Sequence, residues 1–161
     1  MNKKQRELDD DLINACYSGD LELVRYLLTS PELEEHANIH TNDDYCLQIA
    51  CWNGYIDIVK YFLISPELKE HIDIHAQQEM PLRWCCKNGQ IEIMKYLLSS
   101  PELTEHANIH VENDDPFIRA CLNNEIKVIE YLIFDYKIKN TEIINDTIYH
   151  TAGVLGRGEK L

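Results

Sequence analysis

Glycine and proline are scarce in this chain, six and five residues in 161. A sandwich or barrel built on many tight turns needs more of both, so helices are favoured. Basic side chains are also short, 15 against 28 acidic ones, which leaves a formal charge of −13. That sign repels phosphate backbones and anionic headgroups, so nucleic acid and membrane surfaces are set aside as partners. No apolar run approaches the roughly 20 residues that cross a bilayer. Residues 1–11 are highly polar and carry no apolar core of a secretory signal. A cytoplasmic protein is expected. Catalytic signatures are missing as well. There is no glycine-rich phosphate loop, no Gly-x-Ser-x-Gly elbow and no His-Glu-x-x-His helix. Neither an enzyme nor a cofactor-dependent protein is expected.

What is present is a repeat. Ser-Pro-Glu-Leu begins at Ser30, Ser65 and Ser100, and Ile-His at Ile39, Ile74 and Ile109, an interval of 35 residues. Tyr26, Tyr61, Tyr96 and Tyr131 keep the same beat, as do Cys16, Cys51, Cys86 and Cys121. Gly19, Gly54 and Gly89 are continued by Asn124. Four units follow, at about 10–44, 45–79, 80–114 and 115–140.

Each unit carries two apolar stripes of helical spacing. The first is Leu12, Ala15 and Cys16, equivalent to Leu47, Ala50 and Cys51. The glycine column ends it, because glycine tolerates the left-handed conformation just past a helix. The second is Leu21, Val24, Leu27 and Leu28, repeated as Ile56, Val59, Phe62 and Leu63, and twice more downstream. Arg25, Lys60 and Lys95 fall outside that stripe. Ser-Pro-Glu-Leu suits a brief extra helical turn with serine as its cap. The following His-Ala-Asn-Ile-His segment reads as an extended, finger-like connection. A single unit cannot bury its stripes, whereas stacked units can, so the expected architecture is an all-α solenoid. Charged Lys3, Lys4, Arg6, Glu7, Asp9 and Asp10 suit a polar front face. Residues 141–152 suit a C-terminal capping helix with Ile143, Ile144 and Ile148 facing the stack, and 153–161 a flexible tail.

These residues resemble the ankyrin repeat family. Gly54-Tyr55-Ile56-Asp57-Ile58-Val59-Lys60-Tyr61-Phe62-Leu63 is similar to the family's Gly-His-Leu-Glu-Val-Val-Lys-Leu-Leu-Leu. His36-Ala37-Asn38-Ile39-His40 resembles Gly-Ala-Asp-Val-Asn, with a histidine that can enter the left-handed region in place of glycine. The opening Thr-Pro-Leu-His-x-Ala survives only in part, as at Asp115-Pro116-Phe117-Ile118-Arg119-Ala120. The family period is 33, and here the segment after the second helix is longer and the finger shorter. The Ser-Pro-Glu-Leu variety also resembles ankyrin proteins of large DNA viruses and amoeba-associated microbes, which implies a host cytoplasm as one setting. The resemblance implies four helix-turn-helix repeats with short finger loops and a protein partner held on the inner face of the first helices and on the fingers.

Positions that break the repeat are the candidate contacts. After the cysteine column stand Tyr17, Trp52, Lys87 and Leu122, followed by Ser18, Asn53, Asn88 and Asn123. Aromatic anchors dominate interface energetics, and a row of them needs a reason to be exposed. The finger residues Asn42, Asp43, Asp44, Tyr45, Gln77, Gln78, Glu79, Glu112, Asn113, Asp114 and Asp115 make an acidic, amide-rich rim, suited to steering a partner with a basic surface. Trp84, two positions before the cysteine column, reads as core. A capped solenoid of this kind is expected to be a monomer.

Two other readings remain at this point. Six of the seven histidines fall in columns 36/71/106 and 40/75/110, and with the six cysteines they suggest a metal- or redox-responsive domain. No Cys-x-x-Cys pair supports it, and stacked units, roughly 10 Å apart, hold one column's side chains too far from each other for a zinc ion. The other reading is a fragment of a larger ankyrin protein, against which the atypical residues after Lys139 look like an ending.

Overall fold

The computed structural model describes residues 3–138. The proposed capping helix at 141–152 and the tail lie outside them. Eight α-helices follow in order: α1 Lys3–Ser18, α2 Leu21–Thr29, α3 Thr41–Asn53, α4 Ile56–Ile64, α5 Ala76–Lys87, α6 Ile91–Ser99, α7 Asp115–Leu122 and α8 Ile126–Glu130. No strand occurs among the described residues. Odd-numbered helices pack on one another in sequence, α1 on α3, α3 on α5 and α5 on α7, and even-numbered helices make a second, looser layer. The first helices, which carry the inner face, pack on one another more tightly than the second helices do.

The two stripes form one continuous core. Leu12, Cys16, Leu47, Ala50, Cys51, Leu82, Cys86 and Phe117 are fully enclosed from the first helices, and Val24, Val59, Phe62, Met94, Leu97, Val128 and Leu132 from the second. Small alanines and cysteines at the seam let the first helices approach closely.

Neighbouring units are stitched at both edges. At the inner edge, Gly19 turns the chain at φ +72°, and the next unit's Tyr55 ring lies 2.7 Å from where a Cβ would stand. The Tyr55 hydroxyl donates to the Tyr17 carbonyl, and Gln90 does the same for the Trp52 carbonyl. Each side chain thereby satisfies a carbonyl left open at the end of the preceding unit's first helix. Gly19→Ala should therefore cost about 2 kcal/mol or more, from the left-handed backbone and a displaced ring. Urea unfolding followed by circular dichroism reads it, and a cost below that of an ordinary exposed Gly→Ala change would contradict the close approach.

At the outer edge the cations reach forward to the next unit. Arg25 pairs with Glu67 and lies 5.8 Å from the Tyr61 ring centroid. Lys60 repeats this one unit on, 3.3 Å from Glu102 and 4.9 Å above Tyr96. Burial, with Glu102 beside it, pushes the Tyr96 phenol up to about 12. Tyr26 has no unit before it and stays 41% exposed.

Ser-Pro-Glu-Leu makes a single turn with serine as its cap, and two local expectations beside it need correction. Ser30 closes α2, its hydroxyl accepts from the Glu32 amide, and the Leu33 amide donates to the Ser30 carbonyl. The His36 column does not enter the left-handed region. Its imidazole Nε2 instead bonds the Ser30 carbonyl at 2.9 Å, with His71 and His106 repeating this on Ser65 and Ser100. Asp9 is buried, not part of a polar front, because it accepts hydrogen bonds from Gln5 and from the Asn38 amide. The fourth unit also departs at its end. The Tyr136 amide donates to the Tyr131 carbonyl, five residues back, so α8 widens into a π-helical turn at Tyr131–Asp135. In the earlier units the corresponding bond reaches back four residues from a serine that a proline follows.

A candidate partner-binding surface

Past its His-Ala-Asn-Ile-His segment the tip of each finger turns sharply. In each, three successive residues without a glycine take left-handed backbone: Asn42, Asp43 and Asp44 at φ 51°, 56° and 62°, then Gln77, Gln78 and Glu79, then Glu112, Asn113 and Asp114. Such a turn costs an L-residue roughly 1–2 kcal/mol at each position. A side-chain bridge closes it. His40 Nδ1 stands 2.6 Å from Asp44, His75 2.5 Å from Glu79 and His110 2.6 Å from Asp114. In the first unit Gln5 and Asp9 occupy the same two registers, with α1 running straight through them. Asp44, Glu79 and Asp114 are thus tied down, whereas Asp43, Gln77, Gln78, Glu112 and Asn113 are exposed at the tips.

The hydrogen bond that the His75 imidazole donates to the Glu79 carboxylate raises the His75 pKa, against a smaller opposing effect of burial, and Asp73 and Glu105 add to the rise. A raised folded value means stability fully present below about 6.5, the ordinary histidine value, and lost as pH climbs through the folded one. His75→Gln, the pairing that Gln5 already makes with Asp9, should therefore cost more at pH 6 than at pH 8.5. Parallel urea titrations at the two pH values check this; an equal cost at both would show that the imidazole's charge plays no part.

On the inner face, the last turn of each first helix presents the variable column. Tyr17 is 51% exposed, Trp52 45% and Leu122 79%, and Lys87 is half-buried. The Tyr17 and Tyr45 hydroxyls meet at 2.7 Å with their rings edge to face. Trp52 stacks on Trp84 with centroids 4.3 Å apart. Lys87 Nζ lies over both indoles, 5.5 Å from Trp52 and 4.8 Å from Trp84. Between them Tyr17, Tyr45, Gln48, Ile49, Trp52, Asn53 and Trp84 line a largely apolar cleft of about 270 Å³.

Trp84 is therefore half-buried and part of the cleft wall, not core. Its column, Ile49, Trp84 and Arg119, stands one helical turn before the Trp52 column and shares its face. That variability is the signal sequence reading passed over. The Ser18, Asn53, Asn88 and Asn123 column is occupied differently. Each side chain donates to the carbonyl three or four residues back, on Ala15, Ile49, Trp84 and Arg119, and so finishes its own helix. Of these, only Asn53 also lines the cleft. Leu122 and the finger tips lie outside it.

Beneath the face runs a charged network. Arg83, only 7% exposed, holds Asp115 at 3.2 Å, and Arg119 pairs with the same carboxylate. Two guanidinium groups thus share one acid.

The histidine and cysteine columns do not assemble a reactive centre in these residues. Among the described residues no three histidine, cysteine or acidic side chains gather as metal ligands. No disulfide forms among the described residues, and all the cysteines but Cys121 are buried. Hydrogen bonding to Cys46 and burial push the Cys16 thiol far up, burial with Cys51 beside it does the same to Cys85, and burial raises Cys86. Thiols held protonated are poor nucleophiles.

Comparison with known families matches residues 47–145 to a model described as ankyrin repeats (3 copies), and residues 12–63 to one described as ankyrin repeats (many copies). No curated protein and no solved structure matches the chain.

Proposed function

Because the chain belongs to the ankyrin repeat family, we propose that it is a protein-interaction module, an adaptor or inhibitor, which holds its partner against the inner face of the first helices and the adjoining fingers. The observation that carries this is the cleft. Two tyrosines and two tryptophans converge there with their edges in solvent, in a family whose repeats generally serve to bind proteins. Exposed aromatics clustered around a concavity are the usual anchors of an interface. Exposed Asp43 and Glu112 at the finger tips, and the net charge of −13, favour a basic surface on the partner's finger side. The module works by occupancy rather than catalysis, with no cofactor, as a monomer in the cytoplasm. Free thiols suit a reducing compartment, and no helix of the described residues is long and apolar enough to cross a membrane. Affinity purification from the native cell with the full chain and with Trp52→Ala tests the proposal. Proteins retained by the wild type and lost with the variant support it; an identical set from both overturns it.

A further inference from the structure

The inner face is electrically lopsided, against the sign of the whole molecule. On its finger side the exposed charges are carboxylates, Asp43 and Glu112. On its far side stands Lys87, the last residue of α5, about 10 Å along the helix from the finger at 1.5 Å per residue. Lys87 has no carboxylate partner among the described residues; its ammonium rests on the Trp52 and Trp84 rings with donors to spare. Next to it, Arg83 and Arg119 share Asp115, and the Glu125 carboxylate lies against Gly89 without pairing with Lys87. None of the cleft residues is acidic.

We infer that this face takes a short partner segment in which one large apolar side chain is followed by a carboxylate. This rests on the inner-face reading above and names the chemistry of its occupant. The apolar side chain enters between Tyr17, Trp52 and Trp84, in a cleft sized for a single large residue. The carboxylate meets Lys87, which the rings already hold in place, so little freedom is lost on pairing. Basic residues of the partner point toward the finger tips. A cationic side chain does not suit the cleft itself, because it would compete with Lys87 for the same indole faces at a distance where like charges repel.

The test is selection of random twelve-residue peptides displayed on phage, with the full-length chain as bait. The selected peptides are then synthesised and measured against wild type, Trp52→Ala and Lys87→Glu. Both side chains are partly exposed, and thermal melts confirm that the variants fold. The inference expects selected peptides to share an apolar residue next to Asp or Glu. It expects Lys87→Glu to weaken them about tenfold or more, and replacing the peptide's acid with lysine to restore binding to that variant. Loss with Trp52→Ala but indifference to Lys87→Glu leaves the inner-face reading standing and overturns this inference. Peptides that bind all three forms equally overturn both. Uniformly basic peptides, or no enriched sequence, overturn the inference, as does a concentration-dependent dimer in sedimentation that Trp52→Ala abolishes, since the occupant is then a second copy of the chain.

Discussion

Asp115→Ala should lower the unfolding free energy by about 3 kcal/mol, the typical cost of stranding one member of a buried ion pair. Asp115 is the carboxylate that makes the burial of Arg83 tolerable. With it gone, a guanidinium 7% exposed has no counter-charge in the described network, and Arg119 adds repulsion. The repeat itself supplies the control. The register of Arg83 holds Ile13, Gln48 and Ile118 in the other units, so the stack accepts an apolar residue there. Arg83→Ile should cost less than about 1 kcal/mol, because replacing a buried charge with a packed aliphatic is often neutral. Asp115 would then keep Arg119 as its partner. The double variant should be more stable than Asp115→Ala alone, giving a coupling of about 2 kcal/mol in the cycle. Urea denaturation of the four proteins measures it. A coupling near zero would mean that the two groups stabilise the chain independently and that the cost of Asp115→Ala comes from its place at the start of α7.

The difference between Arg83 and its column mates also shows where sequence reading stops. Every unit must offer the same seam to the next, so the residues of the seam recur at 35 and the helices could be placed from Leu12, Cys16, Gly19 and their equivalents. A recurring column says what a position is, not what lies across from it. Arg25 reads as an outward cation, yet its partners Tyr61 and Glu67 are 36 and 42 residues away, one unit on. Tyr55 stands in the sequence only as the residue before a second stripe, but its ring lies where a side chain at position 19 would stand. Trp84 was hidden the same way, since its role comes from Trp52, 32 residues earlier, and not from its own unit. The left-handed fingers were illegible for a local reason. Nothing in Gln77-Gln78-Glu79 favours positive φ, and the turn is held by a histidine four residues before the carboxylate it bonds. The histidine columns were visible in the sequence; their use as turn clamps required knowing the handedness of the backbone between.

Trp52→Ala should weaken partner binding by about 30-fold or more, equivalent to about 2 kcal/mol at a central aromatic anchor. Trp52 is 45% exposed in the free protein, so its removal forfeits little core packing, and the melting temperature should move only slightly. The loss in affinity has two sources. The indole surface that a partner would cover disappears, and Lys87 loses one of the two rings that position its ammonium. Trp52→Phe keeps a ring facing Trp84 and should recover most of the binding. Leu122→Ala is the internal control. It lies in the same column and is 79% exposed, but it is absent from the cleft wall, so its loss should change affinity less than about threefold. Titration calorimetry with the partner recovered by differential purification gives all three numbers. Equal losses for Trp52 and Leu122 would spread the interface along the whole inner face and remove the cleft from its centre. A Trp52→Ala protein that binds as the wild type does would place the partner elsewhere on the stack.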